Sequence, residues 1–351
     1  MKILVTGADG YIGSILTPML IRSGHDVTGL DTGYYRDGWL YSDNQAMSRL
    51  PAFVCKDIRD ITQDDLFGFD AIVHLAELSN DPLGANNPAV TYEINHKGSV
   101  RLASLAKMAG VPRFVYTSSC SVYGVSDAEF VNEASPVDPQ TAYAQCKVLV
   151  EQDVGKLADY AFCPTFLRNA TAYGASPRMR FDIVLNNLAG LAWTTNRITM
   201  TSDGSPWRPL VHVNDICSAI ACTLDAPREN VYNEIFNVGP LNANYTVREI
   251  AEIVGQHFPS CELAFGPSGA DNRSYRVNFD KIHNHLPEFK AAWTTSDGAA
   301  QLSRLFSRID MSESIFNFRA FTRLKQLEFL IRTAQLDEHF FWSENTAGRV
   351  T

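Results

Sequence analysis

The chain has 351 residues, a length that predicts about two domains. Hydrophobic residues make up 45% of it and charged residues 20%, which excludes disordered, collagen-like and low-complexity proteins. The 30 lysines and arginines stand against 39 acidic residues, and the resulting net charge of −9 argues against a nucleic acid or an anionic membrane as the main partner. A local basic pocket for a small phosphate-bearing molecule is compatible with this balance.

The seven cysteines are scattered, without a Cys-x-x-Cys pair and without a histidine at zinc-ligand spacing. We therefore expect reduced thiols, no metal site and a cytoplasmic protein. The apolar stretch at the N-terminus is too short for a signal peptide. No run of about 18 apolar residues predicts a membrane span.

Strands and helices alternate through the first half of the chain. An apolar strand at Lys2–Thr6 is followed by a glycine-spaced turn, a helix and a second strand at 26–30. Further strands are predicted at 71–75, 113–117 and 162–167, and helices at about 89–109 and 143–159. This order predicts an α/β fold, a doubly wound parallel sheet of the Rossmann type with helices on both faces.

The second half is richer in polar and turn residues, and we expect the chain to leave the sheet after Arg168 and to return to it. The pattern predicts a helix at 181–193, buried strands at 210–213 and 234–238, and a helix at 214–224 between them. An amphipathic helix in the tail, 312–342, is predicted to dock on the body or on a second subunit.

A glycine loop joins the first strand to the first helix. Gly7 allows the tight turn, Gly10 lets the backbone approach a pyrophosphate, and Gly13 lets helix and strand pack closely. The helix N-terminus then points at the phosphates. Asp31 ends the second strand, where a carboxylate accepts both ribose hydroxyls and repels a 2′-phosphate. The sequence therefore predicts a dinucleotide site and favours NAD over NADP.

Two further motifs carry reactive groups. Tyr143 and Lys147 are four residues apart on a predicted helix, so they share one face. An ammonium beside a phenol stabilises the phenolate and so provides a base near neutral pH. The spacing alone is equally compatible with a solvated helix face. Hydroxyl groups between Thr117 and Ser121 follow a buried strand, at the sheet edge where ligands of such folds bind.

In this order the glycine loop, Asp31, Asp57-Ile58, His74-Leu75-Ala76, Ser-Ser-x-x-Val-Tyr-Gly at 118–124 and Tyr143-x-x-x-Lys147 resemble the extended short-chain dehydrogenase/reductase family. The closest branch is that of nucleotide-sugar epimerases and dehydratases, of the UDP-glucose 4-epimerase type. The resemblance covers about residues 1–285. It implies a nucleotide-diphosphate sugar as substrate and a homodimer.

The resemblance also implies site residues. The catalytic groups are Tyr143, Lys147 and Ser119, the last holding the reacting sugar oxygen. Besides Tyr143 and Lys147, the residues expected to contact the cofactor are Gly7, Gly10, Tyr11, Ile12, Gly13, Asp31, Asp57, Ile58, Leu75, Ala76, Glu77 and Asn95. Those expected to contact the substrate, either from the resemblance or, for Arg178 and Arg180, from their charge, are Ser119, Cys120, Ser121, Thr171, Arg178, Arg180, Arg208 and Arg273.

Several positions depart from the pattern of that branch. Its 4,6-dehydratases carry an acid pair directly after the catalytic hydroxyl, where this chain has Cys120 and Ser121. Thr171 replaces the substrate-binding Asn, while Arg208 keeps the place of the Arg that grips the diphosphate. Glu77 replaces a small residue, and contact with substrate or ribose and capping of the next turn are both open interpretations.

Three arginines have open roles. Arg178 and Arg180 precede a predicted helix, where they either complement a phosphate or are ordinary surface arginines. Arg273 is a candidate to replace an Arg that the branch carries nearby. Cys120, beside the catalytic hydroxyl, is either a substrate contact or a small packing residue.

Taken together, these expectations describe an NAD-dependent nucleotide-sugar epimerase that oxidises a sugar hydroxyl transiently. The alternatives are a dehydrogenase or ketoreductase, a 4,6-dehydratase, and an NAD-sensing regulator without activity. Residues 1–168 and about 210–238 are expected to bind NAD, about 169–209 and 239–310 the nucleotide sugar, and 311–351 to form a helical tail.

Overall fold

A computed structural model describes residues 1–42, 51–79, 87–126, 128–267 and 274–343. Within these ranges no helix combines the length and the apolar character that crossing a bilayer requires. The strands, in chain order, are β1 (Lys2–Thr6), β2 (Asp26–Asp31), β3 (Ala52–Cys55), β4 (Ala71–His74), β5 (Arg113–Ser119), β6 (Cys163–Asn169), β7 (Thr171–Tyr173), β8 (Arg197–Thr199), β9 (Trp207–His212), β10 (Ile235–Val238), β11 (Asn244–Thr246) and β12 (Glu262–Ala264).

The helices are α1 (Gly13–Arg22), α2 (Pro88–Thr91, continued by π-helical Tyr92–Gly98 and by Ser99–Met108), α3 (Ala142–Gly155), α4 (Val184–Thr195), α5 (Val213–Asp225), α6 (Arg228–Val231), α7 (Val247–His257), α8 (Asp280–His285), α9 (Thr295–Arg308), α10 (Glu313–Phe316) and α11 (Arg323–Arg332). Short 3₁₀ turns lie at Asp64–Leu66, Cys120–Tyr123 and Arg319–Phe321.

The main sheet is parallel and doubly wound. Over the described residues seven strands pair in the order β10-β6-β5-β4-β1-β2-β3. The strand order reverses between β1 and β4, and the carboxyl ends of the strands at such a switch point form the ligand crevice. The apolar runs of β1 and β4 are buried on both faces, as parallel strands between two helical layers require.

The two faces of this sheet are covered differently. One core holds Leu16 of α1 and Ile220 of α5 against β1 and β5. The other holds Leu102 of α2 and Val150 of α3, and the tail helix α11 adds Leu327. The tail therefore docks on the body of its own chain, which is one of the two arrangements predicted.

A smaller lobe packs beside the carboxyl ends of the main sheet. Its core joins α4, α7 and α9 through Leu185, Ile250 and Phe306. It also holds the three-stranded sheet β11-β9-β7 and the pair β12-β8.

The strand predicted at 210–213 does not rejoin the main sheet. β9 pairs instead with β7, placing Leu210 beside Thr171, and with β11. A short apolar run predicts that a strand is buried, but it does not predict which sheet the strand joins. The chain returns to the main sheet later, with helix α5 packed on it and β10 paired to β6. β3 was not predicted: its four residues are all apolar, but so short a run does not by itself indicate a strand, and at this sheet edge Phe53 and Val54 are exposed.

Candidate active site

A cavity of about 710 Å³ opens at the carboxyl ends of β1, β2, β4 and β5, between the main sheet and the smaller lobe. Residues from the main sheet layer and from the smaller lobe line the cavity, including Gly10 of the glycine loop and Arg208 of the lobe. This is the crevice that the switch point of the sheet predicts.

The glycine loop is built for close backbone approach. Gly7 has φ +71°, and a Cβ there would lie 2.8 Å from the backbone of Leu75 and Ala76. A Cβ at Gly13 would overlap the carbonyl oxygen of Gly7. No side chain caps the N-terminus of α1, and Gly10, Tyr11 and Ile12 line the cavity there. The loop and the helix end thus form an anion site of the dinucleotide-binding type.

Asp31 lies at the end of β2 on the wall of the cavity. Its carboxylate accepts hydrogen bonds from the backbone N–H groups of Gly33 (2.8 Å) and Asp9 (3.1 Å). Burial raises the pKa of this carboxyl to about 6, although the two N–H groups favour the charged form. The position suits an acceptor for ribose hydroxyls.

Next to it, Ile58 and Asp57 line the cavity at the end expected for adenine. Arg59 grips Asp57 with two hydrogen bonds, at 3.0 Å from Nε and 2.8 Å from Nη2. Leu75 and Ala76 line the cavity as well. The residues present therefore fit an adenine dinucleotide.

Asn95 does not reach this cavity. It is fully buried, and its amide bonds the backbone N–H and carbonyl of Leu78, at 2.8 and 2.9 Å. The expectation that Asn95 contacts the cofactor is wrong for this reason: the side chain fixes the loop after β4 instead.

Tyr143 and Lys147 both line the cavity from α3, whose first turn is capped by the Thr141 hydroxyl. Lys147 Nζ lies 5.4 Å from the centroid of the Tyr143 ring and donates to the carbonyl of Thr117 at 2.5 Å. The helical spacing thus brings the ammonium within electrostatic reach of the phenol.

The contacts of Glu77 at this centre were not predicted from the sequence. Its carboxylate forms an ion pair with Lys147, and the two side chains are 3% and 5% exposed. The hydroxyl of Tyr116 donates to it at 2.5 Å, and that of Ser99 at 3.5 Å. Burial would lower the pKa of Lys147, but Glu77 and then Tyr143 raise it above its usual value. The capping interpretation of Glu77 is therefore wrong, since its carboxylate is directed at Lys147.

The residues at the carboxyl end of β5 lie in two different environments. Ser119 and Ser121 line the cavity, and Ser119 Oγ accepts from the N–H of Ser121 at 3.1 Å. Cys120 turns away, is 1% exposed, and directs its Sγ to the carbonyl of Arg168 at 3.2 Å. The 3₁₀ turn rotates it under the sheet end, so Cys120 is a packing residue and not the predicted substrate contact.

The arginines predicted to bind the substrate also differ in position, because some line the cavity and one does not. Arg208 and Thr171 line the lobe side of the cavity. Arg180 lines it too, paired with Asp182 at 2.9 Å. Arg178 does not: its guanidinium is ion-paired with Asp9 in the glycine loop.

Arg178 also donates to the backbone carbonyls of residues 35, 36 and 38, at 2.8 to 3.1 Å. The substrate role predicted for it is wrong because the side chain is fully used in holding the loop. Arg273 lies outside the described residues.

The lining residues that were not predicted from the sequence include Tyr35 and Arg323. Tyr35 follows β2, and Arg323 opens the tail helix, about 290 positions further along the chain. Neither belongs to a motif, so no local signal was available to find them.

The chain is similar to known proteins along most of its length. The sequence model of the NAD dependent epimerase/dehydratase family matches residues 3–239. A UDP-glucose 4-epimerase of Mycolicibacterium smegmatis is 36% identical over 228 residues, 62% of this chain and 72% of the relative. One of Corynebacterium glutamicum is 27% identical over 268 residues, 72% and 79% of the two chains.

Among solved structures, a dTDP-glucose 4,6-dehydratase from Streptomyces venezuelae with NAD bound is similar with a TM-score of 0.76 and 25% identity. The match covers 90% of this chain and all of that one.

Proposed function

The chain belongs to the NAD-dependent epimerase/dehydratase family, with NAD as its cofactor, and from that premise we propose that it is a nucleotide-sugar epimerase. One observation carries the proposal. Tyr143, Lys147 and Ser119 line a cavity that also holds a dinucleotide loop, while the place of a dehydratase's acid pair holds Ser121 and an inward-turned Cys120.

Tyr143 is the base of the proposed reaction. As a phenolate it accepts the proton of a sugar hydroxyl, and it gives that proton back when the hydroxyl is restored. Lys147 stabilises the phenolate by its charge, and Ser119 orients the reacting oxygen by a hydrogen bond. These groups fit proton transfer at oxygen, and none of them supplies a base for a carbon-bound proton.

The cofactor is held by groups already described: the loop of Gly7, Gly10 and Gly13 for its diphosphate and Asp31 for its ribose. When bound, NAD supplies the acceptor that takes a hydride from the sugar carbon and returns it to either face of the ketone. Return to the opposite face gives the epimer without net oxidation.

For the substrate, we propose that Arg208 and Thr171 on the lobe side bind the diphosphate of the nucleotide sugar. Accordingly, residues 1–168 and 213–238 form the NAD-binding domain, and 169–212 and 239–310 the sugar-nucleotide domain. The boundary at 213 replaces the predicted 210 because β9 belongs to the lobe. We extend the proposal to a cytoplasmic homodimer.

The alternatives differ in what they require of the site. A 4,6-dehydratase needs an acid for the leaving hydroxyl, and neither Ser121 nor the buried Cys120 is one; burial raises the pKa of the Cys120 thiol. A dehydrogenase or ketoreductase uses the same residues but releases the ketone, so only product analysis separates it from an epimerase. A sensing regulator would not need the Tyr143–Lys147 pair.

The proposal is tested by Tyr143→Phe, with Tyr160→Phe as the control because Tyr160 is 94% exposed. Purified proteins are assayed with a panel of nucleotide sugars, and products are separated by chromatography. We expect Tyr143→Phe to lose about 10²–10⁴-fold in turnover and to keep its NAD, since only the proton transfer is removed. Full turnover by Tyr143→Phe would contradict the proposal.

A further inference from the structure

The cavity wall contains more positive than negative charge at one place. Arg180 and Arg323 both line the cavity and are 8% and 2% exposed. Both residues hydrogen-bond to Asp182. The Asp182 carboxylate accepts from the Arg180 guanidinium at 2.9 and 3.2 Å, but from Arg323 only through its backbone N–H, at 3.2 Å. One carboxylate thus lies beside two buried arginines and binds the guanidinium of only one of them, Arg180.

The guanidinium of Arg323 has weak partners. It donates to the carbonyls of Ala320 (3.3 Å) and Arg178 (3.4 Å), and it stacks on the Tyr35 ring with Cζ 4.0 Å from the centroid. Within the described ranges, no carboxylate oxygen lies within 4.0 Å of its nitrogens. Burial, and then the charge of Arg180, lower the pKa of Arg323.

A second polar group beside it also lacks a partner. The hydroxyl oxygen of Tyr35 is buried and, among the residues described, makes no hydrogen bond, and Tyr35 lines the same cavity. An unpaired buried cation and an unpaired buried hydroxyl are both costly, so together they indicate an anionic ligand with oxygen acceptors.

We propose that Arg323 binds the diphosphate of NAD, so that the C-terminal tail completes the cofactor site opened by the glycine loop. A guanidinium offers a fork of N–H donors that matches phosphate oxygens, and a diphosphate carries the negative charge that this wall lacks. The inference rests on NAD as the cofactor and is independent of the epimerase proposal.

The position of Arg323 favours the cofactor over the substrate as the source of the diphosphate. Arg323 packs on Tyr35, which follows β2 and Asp31. The lining residues assigned to the substrate, Thr171 and Arg208, belong to β7 and β9 of the lobe.

The rest of the tail packs around the same end of the site. The indole N–H of Trp342 donates to the carbonyl of Thr32 at 2.7 Å, and the hydroxyl of Tyr34 donates to the carbonyl of Phe340 at 2.5 Å. The tail, which lies beyond the residues matched by the family model, thus encloses the segment that follows Asp31.

The test measures binding rather than activity. Full-length protein freed of nucleotide is titrated by calorimetry with NAD, adenosine and UDP. Arg323→Gln and Arg323→Lys are compared with Arg319→Gln, whose guanidinium lies in the same tail but pairs with Asp37 at 2.8 Å outside the cavity. Circular dichroism melting confirms that each variant is folded.

We expect Arg323→Gln to weaken NAD at least tenfold and Arg323→Lys to weaken it less, with adenosine and UDP unchanged within twofold. Arg319→Gln should bind all three like the parent protein. Unchanged NAD affinity would overturn the inference, and so would an equal loss for adenosine, which means a merely structural role. A loss for UDP alone would assign Arg323 to the substrate. If Arg323→Gln does not fold, Arg323→Lys decides by the same criteria.

Discussion

Glu77→Gln tests the electrostatics of the reaction centre. It removes the negative charge that is paired with Lys147 and keeps a hydrogen-bond acceptor of the same size. Lys147 Nζ lies 5.4 Å from the Tyr143 ring centroid. At that separation and an effective dielectric constant of about 20, an ammonium stabilises a phenolate by about 3 kcal/mol, or about two pH units.

The Glu77 carboxylate opposes this effect, since it is ion-paired with the same ammonium. If it offsets about half of the energy, its loss moves the acidic limb of the kcat/KM profile about one pH unit lower. The direction follows from the unopposed ammonium, which lets Tyr143 lose its proton at lower pH. Because a buried ion pair loses one partner, the free energy of unfolding should fall by about 3 kcal/mol.

The assay is a pH profile of kcat/KM on the nucleotide sugar that the panel identifies, together with urea unfolding. Asp153→Asn is the matched control, because that carboxylate lies on the same helix and pairs with Lys156 at the surface. It should leave the profile in place. An unshifted acidic limb, or one moved to higher pH, in a folded Glu77→Gln protein would refute the electrostatic reasoning.

Two further predictions concern the cofactor site. The pKa of Asp31 is about 6, and ribose hydroxyls bind its ionised form, so NAD affinity should fall as pH falls through about 6; calorimetry at several pH values checks this, and a persistent pH dependence in Asp31→Asn would assign it to another group. In Gly13→Ala the new methyl group meets the Gly7 carbonyl oxygen, so the loop must shift at a cost of about 1–3 kcal/mol. NAD content per chain should drop together with the melting temperature, whereas Gly24→Ala, whose methyl group enters open space but whose φ is +89°, should lose some stability and keep its NAD.

The parts of the molecule that could be predicted from the sequence are those with strong local constraints. The strand β1, the glycine turn and α1 follow from a buried apolar run and from glycines that only close packing explains. Helical spacing predicts that Tyr143 and Lys147 share one face of a helix, and their catalytic role is inferred from the family resemblance. In each case the pattern that carries the prediction lies within a short stretch of the chain.

The errors concern residues whose role depends on distant partners. Arg178 pairs with Asp9, 169 positions away, and Glu77 with Lys147, so neither role can be derived from the spacing around them. β9 carries the apolar run expected of a buried strand, but its partners β7 and β11 decide the sheet. Arg323 reaches the cavity only because the tail folds back on the body.

The origin of the carbon-bound hydrogen in the product separates an epimerase from a dehydratase. The NAD-loaded protein is incubated with nucleotide sugars in deuterium oxide, and the products are analysed by mass spectrometry and by absorbance of NADH. We expect an epimer without carbon-bound deuterium and without net NADH. Deuterium on carbon would indicate dehydration, and NADH in amounts equal to product would indicate a dehydrogenase; either result would contradict the epimerase proposal.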